Sequence, residues 1–330
     1  MATILEIDGL KAYYIIREKM QGRESYVYAV DDVSLQIYDN EVLGIAGESG
    51  CGKSTLVKVL YGFVEPPLIV VDGKAFYRSD AEMIDLLSLD ASSLRNKIFW
   101  RVFSYVPQGS MSVLSPTMRI KNIFLDIIHT HNKDIDKKEA MELISKHLQE
   151  VGLPSEVLSS YPHQLSGGMR QRVVIALATI LKPKIIFADE PTTALDVVVQ
   201  RGIIQLLKKV HRETRNTLVL VSHDMGLQAQ LTDRVAIMYA GKIVEVAPTK
   251  DIFRNPINPY TQYLIMSLPK IGDKSRRVSI SGRPPSLRNP PRGCRFHPRC
   301  PYKTKACEET PPKLIRVEND HYVACNRVNR

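Results

Sequence analysis

Apolar and polar positions follow two different periods along this chain. Residues 3–40 alternate, so that Val33, Leu35 and Ile37 share one face, the pattern of half-buried antiparallel strands. Gly22-Arg23 predicts a turn between two of them. Further on, apolar residues gather in short runs at 41–46, 103–106, 185–188 and 217–221. Such runs, set between helix-forming stretches, predict buried parallel strands of an α/β core over 41–107 and 170–240. Helices are expected at 55–61 and 169–181. The middle, about 110–165, carries no strand pattern. There Asp136 with Glu139 forms a capping box. Ala140, Leu143, Ile144, Leu148 and Val151 then mark one face of an amphipathic helix.

The first chemistry sits after the 41–46 strand. Gly47-Glu48-Ser49-Gly50-Cys51-Gly52-Lys53-Ser54 fits a phosphate-binding loop, and Thr55 opens the helix behind it. Glycines let backbone N–H groups turn inward around phosphates, and the helix N-terminus adds its positive end. Lys53 would neutralise β- and γ-phosphates, and Ser54 would bind Mg²⁺. Cys51 reads as a filler within the loop.

A second acidic constellation ends the run Ile185-Ile186-Phe187-Ala188. Asp189 emerges at the strand's C-terminal end, where it can hold a Mg²⁺ shell. Glu190, one residue further, is placed to polarise a water for in-line attack on a γ-phosphate. Between the two motifs lies Leu165-Ser166-Gly167-Gly168, a further glycine-rich segment before a helix.

Together these motifs resemble the ATPase subunit of an ABC transporter, over roughly residues 1–255. Gly47–Ser54 is similar to the Walker A loop, Leu165–Gly168 to the signature motif, and Ile185–Glu190 to Walker B with its catalytic glutamate. Gln108 matches the Q-loop glutamine, Ala194-Leu195-Asp196 the D-loop and His223 the switch histidine, all in the family's order. The resemblance implies an α/β fold: a P-loop ABC-type ATPase with an antiparallel β layer, a RecA-like core and a helical subdomain at about 110–165. It implies a head-to-tail pair in which Ser166 and Gly168 of one subunit contact the γ-phosphate held by Lys53 of the other. His223 orients the attacking water, Gln108 senses Mg²⁺ and water, and Asp196 organises the interface. An aromatic platform for adenine falls to Tyr13 or Tyr14, with Tyr14 favoured by the family's pattern.

Residues 256–330 are expected to form a separate extension. Asn258-Pro259-Tyr260-Thr261-Gln262 and Leu268-Pro269 resemble the tail of the oligopeptide and dipeptide group. A Pro-rich linker at 282–293 then leads to Cys294, Cys300, Cys307 and Cys325. Four cysteines so close in a chain without secretory features argue for metal over disulfides. The spacing lacks the paired knuckles of zinc ribbons, and four thiolates also suit an iron–sulfur cluster. The resemblance implies a [4Fe–4S] cluster, with zinc as the alternative. His297 and His321 are expected on the surface.

Composition narrows the function. No stretch approaches the ~20 apolar residues of a membrane span, and Glu6, Asp8 and Glu18 interrupt any signal-peptide core. The expectation is a peripheral protein on the cytoplasmic face of the membrane. The net charge of +10 is dispersed, with a modest cluster at 270–277, which argues against a nucleic-acid face. The resemblance implies a second, related ATPase subunit, two transmembrane permease subunits and an extracellular binding protein. Di- and oligopeptides are the expected cargo, oligosaccharides the alternative. A soluble ABC ATPase acting on nucleic acid or ribosomes is the competing class. The segment between Ser54 and Leu165 has no long heptad run and the chain holds one cassette, so transport is favoured. A GTPase is disfavoured, because Asn132-Lys133-Asp134 lacks the guanine-motif spacing.

Overall fold

The computed structural model of the protein describes residues 2–17, 24–79, 82–109, 113–268, 280–318 and 320–328. The turn expected at Gly22-Arg23, the basic cluster at 270–277, Pro269 and residues 110–112, just after Gln108, lie outside the described residues. The chain divides into two compact units, Met1–Leu89 with Val221–Arg330, and Asp90–Leu220.

The first unit begins with the alternating segment. β1 (Thr3–Arg17) and β2 (Glu24–Tyr38) pair antiparallel, with Leu5 opposite Ile37 and Ile7 opposite Leu35. Val33, Leu35 and Ile37 are all buried, as their period requires. β3 (Val42–Ala46) is buried throughout and runs through the glycine-rich loop into α1 (Lys53–Tyr61). β4 (Leu68–Arg78) and β5 (Met83–Asp85) complete a sheet of order β2-β1-β4-β5. Two expected boundaries shift. Glu41 precedes its strand because its buried carboxylate accepts the Tyr38 N–H at 2.6 Å and pairs with Arg234 at 3.2 Å. The helix starts at Lys53, not residue 55, because Gly52 takes the left-handed cap position before it.

The second unit holds the one-turn α2 (Ala91–Ser93), then β6 (Phe103–Val106). Two helices follow, α3 (Ile120–His131) and α4 (Lys137–Glu150). Asp136 caps α4, accepting from Lys138 N–H at 2.7 Å and Glu139 N–H at 2.8 Å. Ala140, Ile144, Leu148 and Val151 are buried. Leu143 is not: it is 37% exposed. At 100° per residue it stands about 95° from the mean direction of the other four. α5 (Gly167–Thr179), β7 (Ile185–Asp189), α6 (Val197–Thr214) and β8 (Thr217–Val221) complete the unit. β6 pairs parallel with β7.

The chain then returns to the first unit. α7 (Met225–Leu231) precedes β9 (Arg234–Tyr239), which pairs parallel with β3. Ala240 and Gly241, both at positive φ, turn the chain into β10 (Lys242–Pro248). α8 (Thr249–Arg254) and α9 (Pro259–Met266) follow, then α10 (Lys305–Glu309), β11 (Leu314–Glu318) and β12 (His321–Ala324). β12 pairs antiparallel with β10, so strand order in this unit runs β11-β12-β10-β9-β3.

The tail is therefore built into the unit. Tyr260 and Phe296 pack with Tyr239 in one buried aromatic group, ring centres 4.5–5.5 Å apart. The Pro-rich segment is tied as well: Leu287 C=O accepts the Tyr28 N–H at 2.9 Å. His321 is buried, against expectation, with Nε2 at 2.7 Å from Glu245 Oε1. Glu245 also accepts from Ile257 N–H at 2.7 Å and Asn258 N–H at 3.1 Å. Among the described residues, no helix is long and apolar enough to cross a membrane.

Candidate functional site

The loop between β3 and α1 is shaped by its glycines. Gly47 has φ +151° and Gly52 φ +108°. A Cβ on Gly47 would lie 2.1 Å from the Met238 carbonyl oxygen, and one on Gly52 would lie 1.9 Å from that of Ala29. Any side chain there would force backbone apart. Lys53 curls over the loop: its ammonium donates to the carbonyls of Gly47 at 2.9 Å and Glu48 at 3.0 Å. Cys51 is buried beneath, and burial raises its thiol pKa, so it stays a neutral packing group. Ser49 and Gly50 face outward, and Ser54 sits half-buried in the first turn of α1.

Two adjacent tyrosines on β1 point to opposite faces. Tyr13 is buried, donates to Asp31 at 2.7 Å and packs edge-on against Tyr28. Burial, then the bond to Asp31, pushes its hydroxyl pKa well above the ordinary range. Tyr14 is half-buried, and its hydroxyl lies 3.2 Å from Thr55 Oγ1, on the helix that begins at Lys53. The structure thus puts Tyr14, not Tyr13, at the phosphate-loop helix.

In the second unit, Asp189 ends β7 almost fully buried and accepts from Tyr105 OH at 3.0 Å. Glu190 follows with φ +46°, a left-handed conformation that costs a non-glycine residue about 1 kcal/mol. Its Oε2 accepts two hydrogen bonds, from Gln108 Nε2 at 2.9 Å and Thr193 Oγ1 at 3.0 Å. β6 delivers Gln108 and β7 delivers Glu190, so the parallel pair sets both. Two donors on one oxygen fix the carboxylate's plane.

Ser166 caps α5, accepting the Met169 N–H at 3.3 Å. The helix begins at Gly167, two residues earlier than residue 169, because this cap satisfies its first turn. Gly168 packs on α6: an added Cβ would lie 2.7 Å from Val199 Cγ1. Asp196 caps α6 through Val199 N–H at 3.0 Å, and Gln200 Nε2 ties back to Leu195 C=O at 3.0 Å. Ala194 takes φ +64° in this turn. His223 stands exposed just after β8.

Cys294, Cys300, Cys307 and Cys325 all line one cavity of ≈ 40 Å³ and form no disulfide. Burial pushes the Cys294 thiol up to about 11, and the charges of Cys307, Cys325 and Cys300 add to the rise. Among the described residues, no three His, Cys, Asp or Glu groups converge closely enough to share a single metal ion. His321 Nε2 lies 2.7 Å from Glu245 Oε1, and His297 Nδ1 lies 2.9 Å from Cys294 O.

Sequence reasoning missed Thr193, Tyr260 and Arg299. Arg299 forms a two-point ion pair with Glu48, at 2.8 and 3.0 Å. Tyr260 OH accepts the Glu48 N–H at 2.9 Å. A carboxylate inside a phosphate loop was the available signal, since it demands a counter-ion.

Comparison with known proteins agrees with these motifs. A family model for the ABC transporter matches residues 30–193, and one for the oligopeptide/dipeptide transporter C-terminal region matches residues 244–307. The chain is 42% identical to the dipeptide transport ATP-binding protein DppD of Caldanaerobacter subterraneus subsp. tengcongensis, over 99% of this chain and 97% of the relative. It is 40% identical to DppD of Bacillus subtilis, over 91% of this chain and 89% of the relative. It is 36% identical to the oligopeptide transport protein AppF of the same organism, over 98% and 97%. Among solved structures it is similar to the dimeric ATP-binding cassette MJ0796 bound to ADP and Pi. There the TM-score is 0.62 at 29% identity, covering 74% of this chain and 98% of that one. The chain belongs to the ATP-binding subunits of the oligopeptide/dipeptide ABC transporters.

Proposed function

We propose that this chain hydrolyses ATP to energise import of di- or oligopeptides. The observation that carries the reading is the doubly anchored carboxylate of Glu190, held by Gln108 and Thr193 beside the buried Asp189. Lys53, with the N–H groups of the Gly47–Thr55 loop and helix start, binds the phosphates. Tyr14 stacks on adenine. Glu190 accepts a proton from the attacking water as its oxygen bonds the γ-phosphorus, and the bond to the β-phosphate oxygen breaks. His223 orients that water. By the family's motifs, Ser54, Asp189 and Gln108 would hold Mg²⁺ through their side-chain oxygens, and the ion would neutralise charge on the phosphates when bound. Ser166, Gly167 and Gly168 complete the site on a paired subunit, and Asp196 organises the interface. The MJ0796 cassette dimer supports that pairing.

The names of the relatives, dipeptide and oligopeptide transport ATP-binding proteins, support peptide cargo. The proposed assembly adds a second ATPase subunit, two permease subunits and an extracellular binding protein, with this chain peripheral on the cytoplasmic face. The four cysteines, which line one cavity, would hold a [4Fe–4S] cluster through their thiolates. Reconstitution with the permeases tests the whole reading: ATPase activity should rise when the binding protein carries a peptide. Stimulation by oligosaccharides alone would replace the cargo. Anaerobically purified protein should contain iron and sulfide and absorb near ~400 nm. Colourless protein with one zinc would overturn the cluster.

A further inference from the structure

We infer that Arg299, delivered by the cysteine-rich tail, is a positioning residue for the phosphate loop and acts through Glu48. The inference rests on that loop binding ATP as proposed above.

Glu48 is an awkward residue for its place. It is the second residue of the loop, and its carboxylate would repel the phosphates that the loop gathers. Two groups deal with it. Arg299 takes the carboxylate in a fork, Nη1 to Oε2 at 2.8 Å and Nη2 to Oε1 at 3.0 Å. Its side chain is 6% exposed and that of Glu48 25%, so the pair is partly shielded from solvent. Tyr260 takes the backbone: its hydroxyl accepts the Glu48 N–H at 2.9 Å. Both groups are themselves held. Arg299 Nη1 also donates to Tyr239 OH at 3.2 Å, and its Nε donates to Ser281 C=O at 3.0 Å. Tyr260 is wholly buried against Tyr239 and Phe296. Glu48 is thus held at both its side chain and its amide by residues 212 and 251 positions away.

The consequence is specific. Without Arg299 the carboxylate loses its neutralising partner while staying next to the phosphates. ATP affinity then falls because a charge is freed, not because the fold is lost. Removing the charge as well should abolish the effect of the arginine.

The test is a double-mutant cycle on the full chain, read as the Kd for Mg-ATP by calorimetry. Arg299→Met should weaken binding about tenfold, a coupling typical of contacting charged residues. The pair Arg299→Met with Glu48→Gln should bind as Glu48→Gln alone does. Arg299→Lys, which keeps the charge but not the fork, should fall between wild type and Arg299→Met. It also serves as the variant to read if Arg299→Met does not fold. Thermal unfolding checks that the fold survives. Wild-type affinity in both arginine variants would overturn the inference, as would a double variant showing the sum of the single effects. Wild-type protein that binds no ATP would instead overturn the nucleotide reading.

Discussion

Thr193 Oγ1 and Gln108 Nε2 meet on a single oxygen of Glu190, at 3.0 and 2.9 Å. One donor comes from the turn three residues after Glu190, the other from the end of a neighbouring strand. The carboxylate is thus held by local and distant chain at once. Glu190→Gln should lower the rate of phosphate release by about 10³-fold while leaving ATP bound. Thr193→Ala should lower kcat about tenfold with little change in KM, since it removes one of two orienting bonds. Steady-state phosphate release checks both. Wild-type turnover in Glu190→Gln would remove the base.

The two tyrosines of β1 should separate cleanly. Tyr14→Ala should weaken ATP binding by about 1 kcal/mol of lost stacking, with the melting temperature little changed. Tyr13→Ala should do the reverse. It removes a buried ring and the bond to Asp31, at a cost of about 3 kcal/mol in stability. Paired calorimetric titrations and melts distinguish them.

Gly168 is held against Val199, where a Cβ would lie 2.7 Å from a methyl carbon. Gly168→Val should therefore separate α5 from α6 as well as crowd any phosphate above the signature loop. The expected result is loss of ATP-dependent pairing, read by light scattering in the Glu190→Gln background, with monomer fold retained by circular dichroism.

Asn258 opens α9 and stitches the tail inward. Its Oδ1 caps Tyr260 N–H at 2.9 Å, and its Nδ2 donates to Ala324 C=O at 3.0 Å. Asn258→Ala should cost about 2 kcal/mol, cap and buried bond together, and lower the unfolding midpoint in urea.

Cys51 provides a check on charge in the loop. Burial holds its thiol pKa above the ordinary value, with Lys53 opposing in part. A raised thiol pKa means less thiolate at neutral pH, so labelling should be slow at pH 7 and quicken as pH rises through the alkaline range. Maleimide labelling followed by mass spectrometry of the Cys51 peptide measures it. Fast labelling of the folded protein at pH 7 would contradict the buried, neutral state.

Local patterns were readable from the sequence where one run of residues carries the whole cause. The 103–106 and 217–221 runs are strands to the residue. The second is buried throughout and flanked by Asn216 and Ser222, which define both its ends. Leu143 was misassigned because apolarity alone does not say how far round the helix a position lies. His321 looked like a surface residue because its partner, Glu245, is 76 positions earlier. The left-handed backbone of Glu190 had no sign in residue type. The ties on Glu48 come from Tyr260 on α9 and from Arg299 in the turn between Cys294 and Cys300, both far along the chain and without a local signature. Ser54 and Asp189 are legible as motif positions, whereas the contacts of Thr193 and Arg299 need the fold.

The pairing of β12 with β10, Glu245 opposite Val323 and Val246 opposite Tyr322, has a practical corollary. Those outer amides and carbonyls have a resident neighbour only while the last segment stays docked. Shortening the protein before residue 314 would leave an open zipper of unpaired backbone along a hydrophobic strand. A clipped preparation should come out of the column as sticky multimers, not as a smaller working ATPase.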